Sequence, residues 1–168
     1  TRYVFNTVFI TVAGTFGHVY VSSLAAFTLS KYKAPGMNVF FKIVILTLMF
    51  AGGVTAIPNY IIMSSLRWTD TYYALIVPAI GAPLGLFLMK QFMIMVPMEV
   101  IESARIDGAS EMKICWQVVM PMVKPATITL AIFAFQAIWN SSGEGVIYTE
   151  SLKVMPMVLR QITLGGLA

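Results

Sequence analysis

Charge is what this sequence has least of. Only 11% of its 168 residues are Asp, Glu, Lys or Arg, 58% are hydrophobic, and the mean hydropathy is +0.82. Soluble domains carry roughly a quarter charged residues, so an ordinary water-soluble core is excluded. Cysteine occurs once, at Cys115, which rules out a disulfide within these residues and any cysteine-based metal cluster. The single histidine, His18, lies far from it in sequence, so no nucleophile-and-base constellation is available. A glycine-rich phosphate loop of the nucleotide-hydrolase type is missing as well. No catalytic, cofactor-binding or metal-binding residue is therefore expected, and the chain is not read as an enzyme. Its twelve methionines suggest soft-metal transport only superficially, because they are scattered without a tight array beside Cys or His. Adaptable packing accounts for them.

What charge there is falls unevenly. None occurs between Arg2 and Lys31, Lys42 and Arg67, Asp70 and Lys90, or Lys124 and Glu144, leaving gaps of 28, 24, 19 and 19 residues. About 20 mostly apolar residues suffice for a helix to cross a hydrocarbon core roughly 30 Å thick. The sequence thus predicts an all-α polytopic membrane bundle, with spans at about 3–30, 39–63, 71–92 and 125–140. The first exceeds a signal-peptide apolar region of about 7 to 15 residues. The formal net charge of +4 does not indicate nucleic acid, because the basic residues flank apolar spans instead of forming one soluble face. Lys31, Lys33 and Lys42, and then Lys90, Arg105, Lys113 and Lys124, frame two connections, whereas the one between them has only Arg67. The positive-inside rule assigns loops 31–38 and 93–124 to the cytoplasm and the region after Asn140 to the outside.

Within the spans, Ala13 and Gly17 would admit a neighbouring helix. Gly52-Gly53 and Pro58 are candidate bends in the second span, and Gly81, Pro83 and Gly85 punctuate the third. Trp68, Tyr72 and Tyr73 suit an interfacial aromatic belt, and Trp139-Asn140 a second anchor. His18 sits mid-span, where an ionisable group is a functional suspect. A neutral imidazole bonded to a neighbouring helix, with Ser22 one turn away as a local partner, is the favoured reading, and Asn6 is read the same way.

The densest charge lies in "PMEVIESARIDGASEMKICWQVVMP", residues 97–121, which holds six of the eighteen charged side chains between Glu99 and Lys113. Pro97 can open a helix with Met98 and Ile101 on one face, and Glu102 and Arg105 are spaced to pair. Gly108 suits a left-handed helix end, Ser110 a cap on the next helix, and Pro121 a helix hinge.

The spacing of Glu102-Ser103-Ala104, Gly108, Val118 and Met120-Pro121 resembles the EAA motif of permease subunits of binding-protein-dependent ABC importers. Ser103, Val118 and Met120 depart from the family's residues but keep its intervals. "SLAAFTLSKYKAPG", "IPNYIIM", "DTYYALIVPAIGAPLGLFLMKQF", "ARIDGAS" and "AIFAFQAIWN" resemble, in order, the carbohydrate or maltose-type branch. The resemblance covers roughly residues 6–140 and weakens at Ser141-Ser142-Gly143-Glu144-Gly145, leaving the 141–155 outer loop without a role.

The resemblance implies a type I importer permease in the inner membrane, conducting a carbohydrate solute and surrounded by membrane lipid. It further implies a second permease subunit, two ATP-binding subunits that hydrolyse ATP, and an extracytoplasmic solute-binding protein. The 97–121 region would be the coupling segment, with Glu102, Ser103, Ala104, Asp107, Gly108 and Ala109 docking on an ATP-binding subunit. Relatives usually carry one helix before and one after this stretch, so the sequence is expected to be part of a longer permease. An importer of another solute is one alternative. An ion-coupled secondary transporter is another, but it would be expected to place acidic coupling groups within the spans.

Overall fold

The computed structural model describes residues 2–49, 52–141, 146–147 and 149–165. These residues form helices α1 (Arg2–Lys31), α2 (Met37–Thr47), α3 (Gly52–Ser65), α4 (Tyr73–Ile80) and α5 (Pro83–Ile94), then α6 (Met98–Ile106), α7 (Glu111–Met122), α8 (Lys124–Trp139) and α9 (Met155–Gly165). No strand occurs among them. Arg2–Lys31 and Tyr73–Ile94 are each long and apolar enough to cross a membrane.

The 30 residues of α1 are the axis of the bundle, and α4, α5 and α8 pack around it. Glycines set the close approaches. A Cβ at Gly17 would lie 2.7 Å from Ile80 Cδ1, and one at Gly14 3.0 Å from Ile138 Cδ1. Gly14 is buried and Ala13 only partly so, which moves the expected small-residue contact by one position. On the outside of the bundle Phe16 is 73% exposed, and Val12, Ile57, Ile61 and Ile132 are exposed too. Such a surface suits lipid, which imposes no penalty on exposed apolar groups.

The third apolar run is bent. Pro83, at the first turn of α5, has no N–H to continue the ladder from α4, and the chain turns at Gly81 and Ala82. Ile80 lies at the end of α4, and its carbonyl accepts a hydrogen bond from His18 Nδ1 at 3.0 Å. His18 therefore ties α1 to the neighbouring helix, as expected, through the Ile80 carbonyl and not through Ser22. The second run is divided between α2 and α3, with residues 50–51 outside the described residues. Pro58 lies inside α3 and so does not mark the break. In the fourth run α8 has 16 residues, about 24 Å at 1.5 Å rise per residue, less than a full hydrocarbon core. It joins α7 at a bend of 87°.

Lys90, whose charge the sequence counts with the cytoplasmic connection, is buried within α5. It is 9% exposed, and its Nζ lies 3.3 Å from the centroid of the Phe41 ring on α2. The ring face offers the ammonium partial compensation for lost water. At the opposite end of the bundle, Tyr72 turns inward from the expected belt, and its hydroxyl donates to Asn6 Oδ1 at 2.9 Å. Asn6 Nδ2 donates to the Lys153 carbonyl at 3.1 Å, and the Met155 N–H donates to Thr7 Oγ1 at 2.9 Å. These bonds moor the segment leading into α9 against the start of α1. A cavity of about 650 Å³ remains between α1, α3, α4 and α8.

Candidate functional site

Residues 97–121 form a helix, a sharp turn and a second helix. Pro97 precedes α6, where its missing N–H leaves no intrahelical bond unmade. Glu99 in the first turn and Arg105 in the last match the helix dipole. The turn is a Schellman motif: the Ala109 N–H donates to the Ala104 carbonyl and the Gly108 N–H to the Arg105 carbonyl, both at 3.0 Å. Gly108 has φ +80°, and a Cβ there would meet nothing within 4 Å. The glycine is required by backbone conformation alone, because the left-handed region costs other L-residues roughly 1–2 kcal/mol. Ser110 Oγ then accepts from the Lys113 N–H at 3.4 Å, capping α7 as its sequence position predicts.

The apolar face of this segment is anchored in the bundle. Ile101, Ile114 and Val119 are fully buried together with Met89 and Met93 of α5 and Ala126 of α8. Trp116 stacks on Tyr20 of α1 at 5.2 Å between centroids. Lys31 Nζ donates to the Val96 carbonyl at 2.6 Å, closing the end of α1 onto the residues after α5. The segment is thus packed directly against α1, α5 and α8.

The polar face differs from the expected pairing. Arg105 does not pair with Glu102; its Nε and Nη2 donate to Glu111 Oε1 and Oε2 at 2.6 and 3.2 Å. Nη2 also donates to the Tyr32 hydroxyl at 3.3 Å, and the guanidinium lies 5.6 Å from that ring. One cation thus links α6, α7 and the residue following α1. The Arg105 hydrogen bond holds the Glu111 carboxyl below the usual carboxylate range, and Glu111 in turn raises Arg105.

The named docking residues divide by direction. Glu102, Ser103, Asp107 and Gly108 are exposed, and Glu102 has no recorded hydrogen bond or ion pair among the described residues. Ala104 and Ala109 instead pack, half-buried, against the core below. Sequence reasoning missed Ile106, which is 87% exposed, and Met112, which is 53% exposed. For Ile106 the available signal was its position off the Met98–Ile101 face of α6; Met112 lies on α7, where its sulfur accepts from Trp116 Nε1 at 3.2 Å. Glu99, Glu102, Ser103 and Ile106 share one exposed stripe, with Asp107 beside it.

Pro121 lies in the last turn of α7, and the sharp bend comes two residues later, at Val123. Two prolines set this geometry. Pro121 has no N–H and its ring would crowd the Gln117 carbonyl, and residues Ile114–Val119 widen into a π-helix in which the Met120 N–H reaches the Cys115 carbonyl. A continuous helix would then need an N–H at Pro125 to bond the Pro121 carbonyl. It has none, and the chain turns.

The arrangement contains no group of three or more His, Cys, Asp or Glu able to hold a metal among the described residues. Its chemistry is that of a surface held for contact: a rigid turn, an acidic stripe and two uncovered apolar side chains.

Residues 2–157 match the family model of the "Binding-protein-dependent transport system inner membrane component". Protein LplC of Bacillus subtilis (strain 168) is 37% identical over 175 residues, covering 97% of this chain and 59% of that protein. The polygalacturonan/rhamnogalacturonan transport system permease protein YtcP of the same organism is 33% identical, covering 97% and 60%. The sn-glycerol-3-phosphate transport system permease protein UgpE of Yersinia enterocolitica is 34% identical over 136 residues, covering 81% of this chain and 48% of that one. A chain in the crystal structure of a bacterial ABC transporter involved in the import of the acidic polysaccharide alginate superposes with a TM-score of 0.87 at 26% identity, covering 99% and 59%. The chain therefore spans about three fifths of the length of LplC and YtcP.

Proposed function

This chain belongs to the family of binding-protein-dependent transport system inner membrane components, and from that membership we propose that it is a membrane-spanning subunit of an ATP-driven carbohydrate importer. It forms part of the solute path and works with a second permease subunit, two ATP-binding subunits and an extracytoplasmic solute-binding protein. Loops 31–38 and 93–124 face the cytoplasm, and residues 97–121 dock on an ATP-binding subunit. Closure of the two ATP-binding subunits moves α6 and the start of α7, and the buried contacts of Ile101, Ile114 and Val119 carry that motion into α1, α5 and α8.

The observation that carries this reading is the Schellman turn at Gly108, with exposed Glu102, Ser103, Ile106 and Asp107 beside it on a base packed into the bundle. Glu102 and Asp107 present carboxylates to a basic partner, and Ile106 supplies the apolar contact such an interface centre uses. Ala104 and Ala109 support the turn from below, and the Pro121–Pro125 bend is the hinge through which α8 follows.

Substitution at Gly108 tests the lever. Nothing surrounds its missing side chain, so the effect follows backbone strain: Gly108→Asn is tolerated best, Gly108→Ala less well, and Gly108→Val worst. ATP-driven uptake by the assembled importer and recovery of the ATP-binding subunit with the permease should fall in that order. Wild-type uptake and assembly in Gly108→Val would remove the lever. An importer of a phosphorylated solute is the second reading, supported by the similarity to an sn-glycerol-3-phosphate transport permease.

A further inference from the structure

No Asp or Glu precedes Asp70 in this sequence, so α1, α2 and the turn between them carry basic charge only. Lys33 and Lys42 there are exposed. Lys90 faces α2 from α5 and differs from both, with only 9% of its surface exposed. Its Nζ makes no hydrogen bond or ion pair among the described residues, and the Phe41 ring, 3.3 Å away, is its close contact. A ring face recovers only part of the hydration that a buried ammonium gives up. The nitrogen nevertheless keeps some accessible surface, because the polar side-chain atoms both enclosed and unpartnered among the described residues are the hydroxyls of Thr11 and Thr15. One side of the ammonium is left for an anion.

One turn from Lys90, Leu86 borders a crevice of about 660 Å³ between α1, α2 and the bend that joins α4 to α5. Val21 and Ala25 of α1 and Phe40 and Val44 of α2 form much of the remaining wall, and no Asp, Glu, Lys or Arg lines it among the described residues. Helical periodicity fixes how charge and crevice meet. Pro83, Leu86 and Lys90 follow one stripe of α5, and Phe41, Val44 and Leu48 follow one stripe of α2. The lysine and the ring it covers therefore lie at the end of the crevice nearest the start of α2. That start has no side-chain cap, so its first N–H groups add partial positive charge one turn from Phe41. Val21, Phe40 and Leu48 are exposed, which opens the crevice along the lipid-facing surface.

An inorganic anion would answer the ammonium and leave the crevice unfilled, and an uncharged apolar chain would do the opposite. A lipid with a negative headgroup answers both, and basic pockets between membrane helices on the cytoplasmic side suit such headgroups. We propose that Lys90 and the crevice between α1, α2 and α5 bind an anionic phospholipid of the cytoplasmic leaflet, its phosphate on Lys90 and one acyl chain along Val44, Leu48 and Leu86. Exposed Lys33 and Lys42 add attraction at the membrane surface. From the functional reading the proposal takes only the cytoplasmic placement of the basic connections, and it holds whatever solute is carried.

The test uses the full-length permease in its assembled importer, held in phosphatidylcholine nanodiscs with a trace of phosphatidylglycerol that bears a photoreactive acyl chain. Peptide mapping should find the label on α2 and α5 along the crevice, and excess unlabelled phosphatidylglycerol should remove it. A phosphatidylcholine probe with the same chain should label these helices far less, because its choline offsets the phosphate charge. Absence of label would mean that another polypeptide element covers the crevice. That result, or equal labelling by the two probes, would overturn the proposal. Loss of the label on adding inorganic phosphate would place a free anion at Lys90 and overturn the lipid assignment. Lys90→Gln should reduce labelling about fivefold, the worth of one basic group near a membrane surface, and Lys90→Arg should retain most of it. Unchanged labelling in Lys90→Gln would overturn the role of the charge. Val44→Trp guards against misfolding around the lysine: it leaves Lys90 in place, fills the crevice and should also lower the labelling, and an unchanged signal would remove the acyl-chain seat. Labelling is read without transport, so an importer that failed to carry carbohydrate would leave this site standing, and an unlabelled crevice would leave the importer reading untouched.

Discussion

A methyl group added at Gly85 would stand 2.4 Å from both His18 Nε2 and Ser22 Oγ, whereas one at Gly17 would meet only the Cδ1 and Cγ1 atoms of Ile80. The two glycines look alike in sequence and differ in what must yield. Ile80 can rotate its side-chain end; His18 is buried and held by its bond to the Ile80 carbonyl. Gly85→Ala should therefore lower stability by about 1–3 kcal/mol through overpacking, and Gly17→Ala by less than about 1 kcal/mol. Thermal unfolding of the detergent-solubilised protein distinguishes them, and equal losses would refute the account. Residue-scale reading from sequence succeeded where the cause was local. Gly108 and Ser110 act within their own turn, so their spacing revealed their roles. Glu102 and Arg105 are also locally spaced, yet Arg105 is drawn away because the Gly108 turn brings Glu111 and Tyr32 within its reach. That competition depends on the path of the chain.

At the scale of the element, the Arg105–Glu111–Tyr32 cluster decides how firmly α6 and α7 are joined. Glu111 has its carboxyl lowered in the folded state by the Arg105 hydrogen bond, so its contribution is present above the ordinary carboxylate value of 4.5 and is lost as pH falls through the lower folded value. Hydrogen-exchange protection of the Gly108 and Ala109 amides, corrected for intrinsic rates, should fall across that acidic window in the wild type. In Glu111→Gln the reduced protection should already be present at neutral pH, and wild-type protection there would refute the role. The helix breaks were only partly legible at this scale. Pro83 and Pro125 each withhold an N–H where a helix would have to continue, and the chain turns nearby. Pro121 and Pro58 lie within helical turns, one beside a π-helical segment and one inside α3. A proline marks where strain arises; neighbouring turns decide where it is released.

For the whole molecule, the solvent is lipid. Phe16 is 73% exposed midway along α1, a position that would be unusual in water. Phe16→Asp should add about 2.5–3.5 kcal/mol to insertion at the helix centre and reduce the membrane-inserted yield, whereas Phe16→Leu should leave it unchanged. Equal yields would contradict a lipid-facing α1. Composition and the spacing of charges alone determined that this is a helical membrane protein with a charged segment set apart from its spans. Both follow from the cost of placing charges and unpaired backbone groups in hydrocarbon, a cost that one-dimensional order already expresses. Tertiary structure decided the rest: that His18 bonds the Ile80 carbonyl, that Arg105 chooses Glu111, and that Tyr72 turns inward to Asn6. Each outcome depends on which distant segments meet, and in a chain of similar apolar runs that is settled by the shapes of the packed faces.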